Sequence, residues 1–471
     1  MPDPHLLGKI LSLTSFFWPK ERWKKCIFLM WNICNRFCKG GKYMVTISRF
    51  SYNNPRYLNV LKRKSSVSLD VETTVKEILM GVKEKGDEAL YSYMKKYDDV
   101  DINKIGLLVS EKEFADAREK VSDEFKESVK RACENIFRFH REQLPKGYIV
   151  EDGRGSILER KYIPVNSAAI TVPGKMAPLV SSLYMNLIPA LVAGVPNIYI
   201  LTKPRQDGTI DEHLLYVADY LNVKNYYKIS GAQGLAAVAY GTETVKKVDI
   251  ITGPGNNYTQ AAKKMLFGEV KIDFIAGPSE ITIIADENAN PTFIAADMMS
   301  QAEHGTGFEA STTFCLNKQM AEKIKSEIIR LSAENNLINA TQKSFRNYGD
   351  IFIIDSIQEA VDAVNQIAPE HVELLLDDYD SVLPKLTNAG AVFLGKYSTE
   401  PVGDYYCGTN HILPTCGTAR FSSGMSVQEY MRGYSIIKYS EDTLKNSANY
   451  IIELAKAEGM NAHALAIEVR K

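Results

Sequence analysis

Several familiar chemical signatures are missing from this chain. No Gly-x-Gly-x-x-Gly stands between a strand pattern and a helix, so the standard dinucleotide-binding turn is absent. No His-Glu-x-x-His occurs, which argues against a zinc hydrolase that holds its metal on one helix. The 7 Cys are odd in number and form no Cys-x-x-Cys pair, the usage of reduced thiols in the cytoplasm rather than of a disulfide framework. No apolar run reaches the ~18 residues that a membrane span needs. A formal net charge of -1 supplies no basic field for nucleic-acid phosphates. A small-molecule ligand is therefore the expectation, on a chain of 471 residues that is long enough for two to four domains.

Residues 1–43 differ from the rest. They hold all 3 Trp (Trp18, Trp23 and Trp31) and a basic excess, with short apolar runs only. They read as an upstream extension outside the fold, with the folded chain beginning near Met44, followed by a short helical arm over 44–67. Residues 72–95 and 111–143 carry apolar positions at helical spacing among Lys and Glu, which predicts two long amphipathic helices. Further on, short apolar runs at Ala168–Val172, Asn197–Thr202, Tyr226–Ser230 and Val248–Thr252 each precede a helical stretch. The alternation resumes at Lys271–Ile275, Ile281–Ala285, Thr312–Leu316, Ile351–Ile354, His371–Leu376 and Ala391–Leu394, with helices expected near 291–304, 317–333, 356–367 and 379–388. Such alternation predicts an α/β protein with two doubly wound, Rossmann-like domains and a cleft between them. The expected grouping is 68–155 with 280–424 as the first domain and 156–279 as the second. Helical patterns near 425–434 and 441–460 make 425–471 a tail too small for a core of its own, which must dock on another domain or subunit.

Within this frame, a few polar residues have no evident packing role. The chain has only 7 His, and 4 of them stand in unusual contexts: His304, His371, His411 and His463. Gln301 and His304, three apart near the end of a helix that Asn290-Pro291 starts and Gly305 stops, share one face and can bind one cation. Asp404 and a further His from far along the chain would complete four ligands. Pro369 ends a helix, so Glu370 and His371 stand at a loop-to-strand junction, free for proton chemistry. Neighbours in a regular strand point to opposite faces, so both can serve one site only if that junction is irregular. Two glycine turns, Ser230-Gly231-Ala232-Gln233 and Thr252-Gly253-Pro254-Gly255-Asn256, lie between strand and helix and could offer backbone N–H groups to an anion. The chain thus reads as a metal-dependent enzyme with a separate acid/base pair.

Ordered blocks along the chain carry a resemblance. They are Val172-Pro173-Gly174, Gly231-Ala232-Gln233, Gly253-Pro254-Gly255-Asn256, Ala276-Gly277-Pro278-Ser279-Glu280, Ser300-Gln301-Ala302-Glu303-His304, Pro369-Glu370-His371, Gly403-Asp404-Tyr405, Asn410-His411-Ile412-Leu413-Pro414-Thr415, and Ala457-Glu458-Gly459 followed by His463. Over about Ser48 to Arg470 the chain resembles the histidinol dehydrogenases, NAD-dependent zinc enzymes that end histidine biosynthesis. The resemblance implies an aldehyde-dehydrogenase-like arrangement of the two domains. It also implies Zn2+ held by Gln301, His304, Asp404 and His463, and NAD+ contacts at Thr171, Gln233 and Asn256. Substrate contacts would come from Ser279, Gln301, His304, His371, Asp404, His411, Glu458 and His463. His371 would be the base and Glu370 the group that activates water, converting L-histidinol through L-histidinal to L-histidine. The C-terminal segment would complete the site of the partner in a homodimer. Two positions depart from the pattern, Thr171 where a Tyr is usual and Lys175 where a second Gly is common; Lys175 could pair with a pyrophosphate.

Overall fold

The computed structural model describes residues 45–63, 68–174 and 178–471. The 1–43 extension and Lys175 lie outside the described residues. Strand β1 (Thr46–Arg49) is followed by a two-stranded ribbon, β2 (Tyr148–Glu151) and β3 (Ile157–Pro164). Next come β4 (Ser167–Val172), β5 (Asn197–Thr202), β6 (Tyr226–Tyr227), β7 (Ile250–Thr252) and β8 (Lys271–Ile272). Then follow β9 (Glu280–Ala285), β10 (Ala310–Cys315), β11 (Gly349–Ile353), β12 (His371–Leu375), β13 (Ala391–Leu394) and β14 (Met431–Lys438).

The expected α/β class is what forms. A five-stranded parallel sheet runs β6-β5-β4-β7-β8, and a six-stranded parallel sheet runs β1-β11-β10-β9-β12-β13. Both are doubly wound: the strand order reverses between β4 and β7 in one, and between β9 and β12 in the other. Strands β4, β9 and β12 are buried along nearly their whole length, the near-continuous apolar pattern of a parallel sheet covered on both faces. Lys271–Ile272 closes the five-stranded sheet rather than opening the next one. Seven residues, 273–279, then carry the chain from the carboxyl end of β8 to the amino end of β9. This short link ties the carboxyl edge of the five-stranded sheet to the amino edge of the six-stranded one.

Five expectations are corrected. The helices over 69–141, grouped above with residues 280–424 in a first domain, pack on the five-stranded sheet. Val75, Ile78, Leu79 and Leu90 join Leu201, Tyr227 and Leu235 in one core. Phe114, Val129 and Ile136 join Ala168, Ile170 and Ile200 on the other face. A parallel sheet exposes apolar residues on both faces, and its own crossover helices leave room that these helices fill. They are also shorter than expected, because Gly86 (φ 54) ends Leu69–Lys85 and Ser122 caps a new start at Asp123–Arg141. The 44–67 arm is not purely helical, since β1 pairs in parallel with β11 before the helix Pro55–Leu61. Finally, the helix expected near 425–434 is a single 3-10 turn, Val427–Tyr430, followed by β14, which pairs antiparallel with β3. The helix expected near 379–388 is likewise reduced to Leu383–Lys385.

Of the two helices expected in the tail only the second forms, as Glu441–Ala457, and a further short helix, Asn461–Glu468, follows it. Their apolar face is not covered: Tyr450 is 73% exposed, Leu454 69% and Val469 69%. The ribbon beside them is similar, with Ile149 60% and Ile437 71% exposed. Among the described residues no helix is long and apolar enough to cross a membrane.

Candidate active site

The six-stranded sheet delivers Glu370 and His371 at the start of β12, its amino edge. Doubly wound sheets usually hold ligands at the carboxyl edge, so this placement inverts the ordinary rule. The local cause is visible in the backbone. The helix Ile357–Ile367 stops at Ala368, which takes a left-handed conformation (φ 51), and Pro369 prevents its continuation. Gly390 then lets the neighbouring segment lie against the Glu370 carbonyl, where an added Cβ would stand 2.5 Å from the oxygen. The Gly390 and Ala391 N–H groups donate to Pro369 and Glu370 at 2.9 and 2.8 Å.

Glu280, at the start of β9, answers whether both side chains can serve one site. Its N–H donates to Glu370 Oε2 at 3.0 Å, and its carbonyl lies 3.1 Å from His371 Nδ1. The backbone of one residue thus brackets both groups, and Glu370 Oε2 stands 3.8 Å from His371 Nδ1. With Nδ1–H donating to that carbonyl, the other ring nitrogen, Nε2, is the one left for proton transfer. It lies 3.6 Å from Asp404 Oδ1.

Burial shapes the charges. It pushes the Glu370 carboxyl up to about 7, with the nearby acids Glu280 and Asp404 adding to the rise and His371 opposing it. Burial alone would lower the His371 imidazolium, but Glu370 and Asp404 outweigh it and raise the group to about 10; a cation held at Asp404 would cancel that carboxylate's pull and return Nε2 to the neutral form that can accept a proton. Glu400 is raised to about 8 by burial and by Asp404 beside it. Asp404 is held at about 2: burial opposes ionisation, and the nearby His371 and His411 imidazoles overcome it. The cluster has more negative charge than cations to match. His371, Glu400 and Asp404 all offer a ligand atom within 4.8 Å of one another.

Unmet hydrogen-bonding capacity points the same way. Gln301 is fully buried, and neither its Oε1 nor its Nε2 has a partner. Asp404 Oδ1 and His371 Nε2 are also buried without a hydrogen-bond partner. Each such group costs about 1–3 kcal/mol. The carboxylate oxygen of Asp404 and the amide oxygen of Gln301, unpartnered beside unbalanced negative charge, fit a divalent cation of the zinc type.

The expected ligands are only partly assembled within one chain. Gln301 lies in the last turn of the helix Pro291–Ala302, and the adjacent Ser300 Oγ donates to Glu400 Oε2 at 2.9 Å. His304 falls two residues past that helix rather than within it, exposed, with Nδ1 3.1 Å from the Gln301 carbonyl. Asp404 is the penultimate residue of the short helix Glu400–Tyr405, and its carbonyl accepts from His411 Nδ1 at 2.8 Å. His411 Nε2 faces Ser182 Oγ at 3.3 Å. His463 and Glu458 stand exposed on the tail, and His463 is outside the grouping around Asp404. The Ser279 carbonyl accepts from Arg63 at 3.3 Å.

The three positions expected on the cofactor side meet at the carboxyl edge of the five-stranded sheet. Thr171 is the penultimate residue of β4 and is buried. Gly253 (φ 106) packs so closely on it that an added Cβ would be 2.2 Å from the Thr171 carbonyl oxygen. Asn256 caps the helix Asn257–Leu266, accepting from Tyr258 and Thr259. Gln233, in the first turn of Gly231–Tyr240, donates to Asp98 Oδ2 at 2.7 Å. Thr171 and Gly253 end the two strands between which the order reverses, the crevice where such sheets take a dinucleotide.

Sequence patterns did not reveal Arg63, Glu280 and Glu400. Arg63 is buried, pairs with Glu280, and donates to the carbonyls of Phe308 and Pro278 at 3.0 Å each. Glu280 also accepts the Cys416 N–H at 2.7 Å. The available signals were slight: a lone acid opening the apolar run Ile281–Ala285, and an acid before Pro401 at a helix start.

Two linked parallel sheets with a buried carboxyl–imidazole pair at the amino edge of one define an α/β enzyme of proton-transfer chemistry. The comparisons give the family: the histidinol dehydrogenase model matches residues 61–471, and the chain belongs to that family of NAD-dependent oxidoreductases in histidine biosynthesis. The histidinol dehydrogenase of Halalkalibacterium halodurans is 43% identical over 411 residues, 87% of this chain and 96% of that one. That of Bacillus subtilis is 42% identical over 415 residues, 87% and 96% of the two chains. The crystal structure of histidinol dehydrogenase from Elizabethkingia anophelis covers 91% of this chain and 98% of its own, at 34% identity and a TM-score of 0.85.

Proposed function

We propose that this chain oxidises L-histidinol through L-histidinal to L-histidine with two NAD+, in a homodimer whose subunits share their sites. The observation that carries the reading is the Glu370–His371 pair, bracketed by the backbone N–H and C=O of Glu280 and facing the unpartnered Asp404 Oδ1.

In the first half, His371 Nε2 accepts the hydroxyl proton as hydride leaves the substrate carbon for the nicotinamide. The Nδ1–H bond to the Glu280 carbonyl fixes the ring and its tautomer through this transfer. In the second half, ionised Glu370 takes a proton from water as the oxygen adds to the aldehyde carbon. The resulting hydrate loses its second hydride to a fresh NAD+ while His371 again takes the hydroxyl proton. Gln301, His304 and Asp404, with His463 from the other subunit, would hold a zinc ion. When bound, that ion anchors the imidazole and amine nitrogens of the substrate and balances the carboxylates. Ser279, His411 and Glu458 would line the substrate, while Thr171, Gln233 and Asn256 would face the dinucleotide. The exposed apolar face of the tail supports the shared site, since Glu458 and His463 lie on helices with no core of their own.

The test is NADH formation from L-histidinol before and after chelation, with the metal content measured. Two NADH per substrate and loss of turnover with the metal are expected. A zinc-loaded dimer that yields no NADH from L-histidinol would overturn the proposal.

A further inference from the structure

At the carboxyl edge of the five-stranded sheet a half-buried ion pair has no role in the chemistry described above. β5 follows β4 in the chain and pairs beside it, with Val172 opposite Thr202, so Lys203 stands just beyond the end of the second strand of this unit. The two turns touch, since a Cβ on Gly174 would lie 2.7 Å from the Lys203 carbonyl oxygen. In dinucleotide-binding sheets the end of the second strand meets the adenosine ribose: a carboxylate there takes the 2′-hydroxyl, and a cation accepts a 2′-phosphate. Here the strand presents the cation, although the family uses NAD.

Asp98 resolves the mismatch. It comes from the turn Met94–Asp98, part of the helical layer that packs on this sheet from outside the strand–helix unit. Its Oδ1 lies 2.6 Å from Lys203 Nζ and its Oδ2 accepts from Gln233 Nε2 at 2.7 Å. The side chains of Lys203 and Asp98 are 21% and 10% exposed, so the pair is partly shielded from water. We infer that Asp98 is the residue that sets preference for NAD over its 2′-phosphorylated counterpart, by cancelling the charge of Lys203 at the ribose end of the cofactor crevice. A 2′-phosphate arriving there meets a carboxylate and a lysine already paired. A 2′-hydroxyl meets an acceptor.

This rests on the cofactor lying at this edge, as proposed above, and the test separates the two. The ratio of kcat/KM for NADP to that for NAD is measured in the zinc-loaded enzyme. Asp98→Asn should raise it roughly 10- to 100-fold, the worth of one charge-assisted hydrogen bond. Lys203→Gln, which leaves the carboxylate unbalanced, should lower it, and the double variant should lose the gain of Asp98→Asn. An unchanged ratio in both single variants, or a gain that survives removal of Lys203, overturns the inference. Asn256→Ala is assayed alongside. If it raises KM for NAD while the ratios stay fixed, the role of Asp98 alone is refuted. If it too leaves KM for NAD unchanged, the location of the cofactor falls, and the inference with it.

Discussion

Replacing Glu370 with Gln isolates the half of the reaction that consumes water. The amide oxygen can still accept the Glu280 N–H, now at 3.0 Å from Oε2, so the bracket that positions the neighbouring His371 is kept. What is lost is a carboxyl that burial poises at about 7, close to the working pH. A positioned base contributes roughly 10²- to 10⁴-fold. Oxidation of supplied L-histidinal should therefore fall at least ~100-fold, about 2.7 kcal/mol of barrier. The alcohol half takes up no water. Its base, His371, loses an adjacent negative charge and becomes a somewhat weaker proton acceptor, so this half should fall by less than ~10-fold, under one unit of pKa. Stopped-flow NADH formation in the first turnover of L-histidinol, set against steady oxidation of L-histidinal, reads the two halves separately. The pH profile gives a second reading. Only ionised Glu370 can take the proton of water, so histidinal oxidation in the unaltered enzyme should climb as pH rises through about 7 and level off above it. That limb should be missing in the Gln variant. Equal losses in both halves, or a limb that survives the substitution, would refute the assignment.

His371→Asn should leave fold and zinc content intact and lower turnover by at least ~100-fold; near-normal turnover removes His371 from its role. If His463 serves the partner's site, exchanging subunits between inactive His371→Asn and inactive His463→Ala dimers should restore roughly a quarter of full activity, because each mixed dimer has one intact site. A mixture that stays inactive despite proven exchange would place His463 in its own chain's site. Arg63→Met should destabilise the protein by about 3–5 kcal/mol, since it leaves the Glu280 carboxylate buried without its cation. Thermal unfolding checks this, and an unchanged Tm would mean that Glu280 finds another partner.

Much of the α/β framework was legible because its determinants are local. Asn290 accepts the Thr292 N–H at 2.9 Å and Pro291 opens the helix, as the dipeptide implied. Most of the apolar runs from Ala168 to Leu394 became strands close to their expected bounds, while Tyr226–Ser230 and Lys271–Ile275 shrank to two residues each. What failed depended on distant partners. Residues 431–434 were read as helical, yet they open β14, whose conformation is decided by β3, some 270 residues earlier, which supplies the antiparallel ladder. The helices over 69–141 gave their periodicity but not their sheet, since an amphipathic face does not name what it covers. In the site, Gln301, Glu370, His371 and Asp404 stood out by residue type and context. Glu280 and Arg63 did not, because Glu280 acts on the pair through its backbone and Arg63 acts through Glu280. Backbone roles leave no trace in residue identity.

Tyr450, Leu454 and Val469 stand in solvent on a chain whose two sheets have already closed around their cores. On the two-chain reading, covering them is a second-order event that follows first-order folding. Newly made chains would then pass through a folded but inactive interval whose length scales inversely with their concentration. The onset of turnover after dilution from denaturant would lag the recovery of secondary structure, and the lag would shorten as protein is added. Catalytic competence in such an enzyme reports how many copies a compartment holds, and not only whether each has folded.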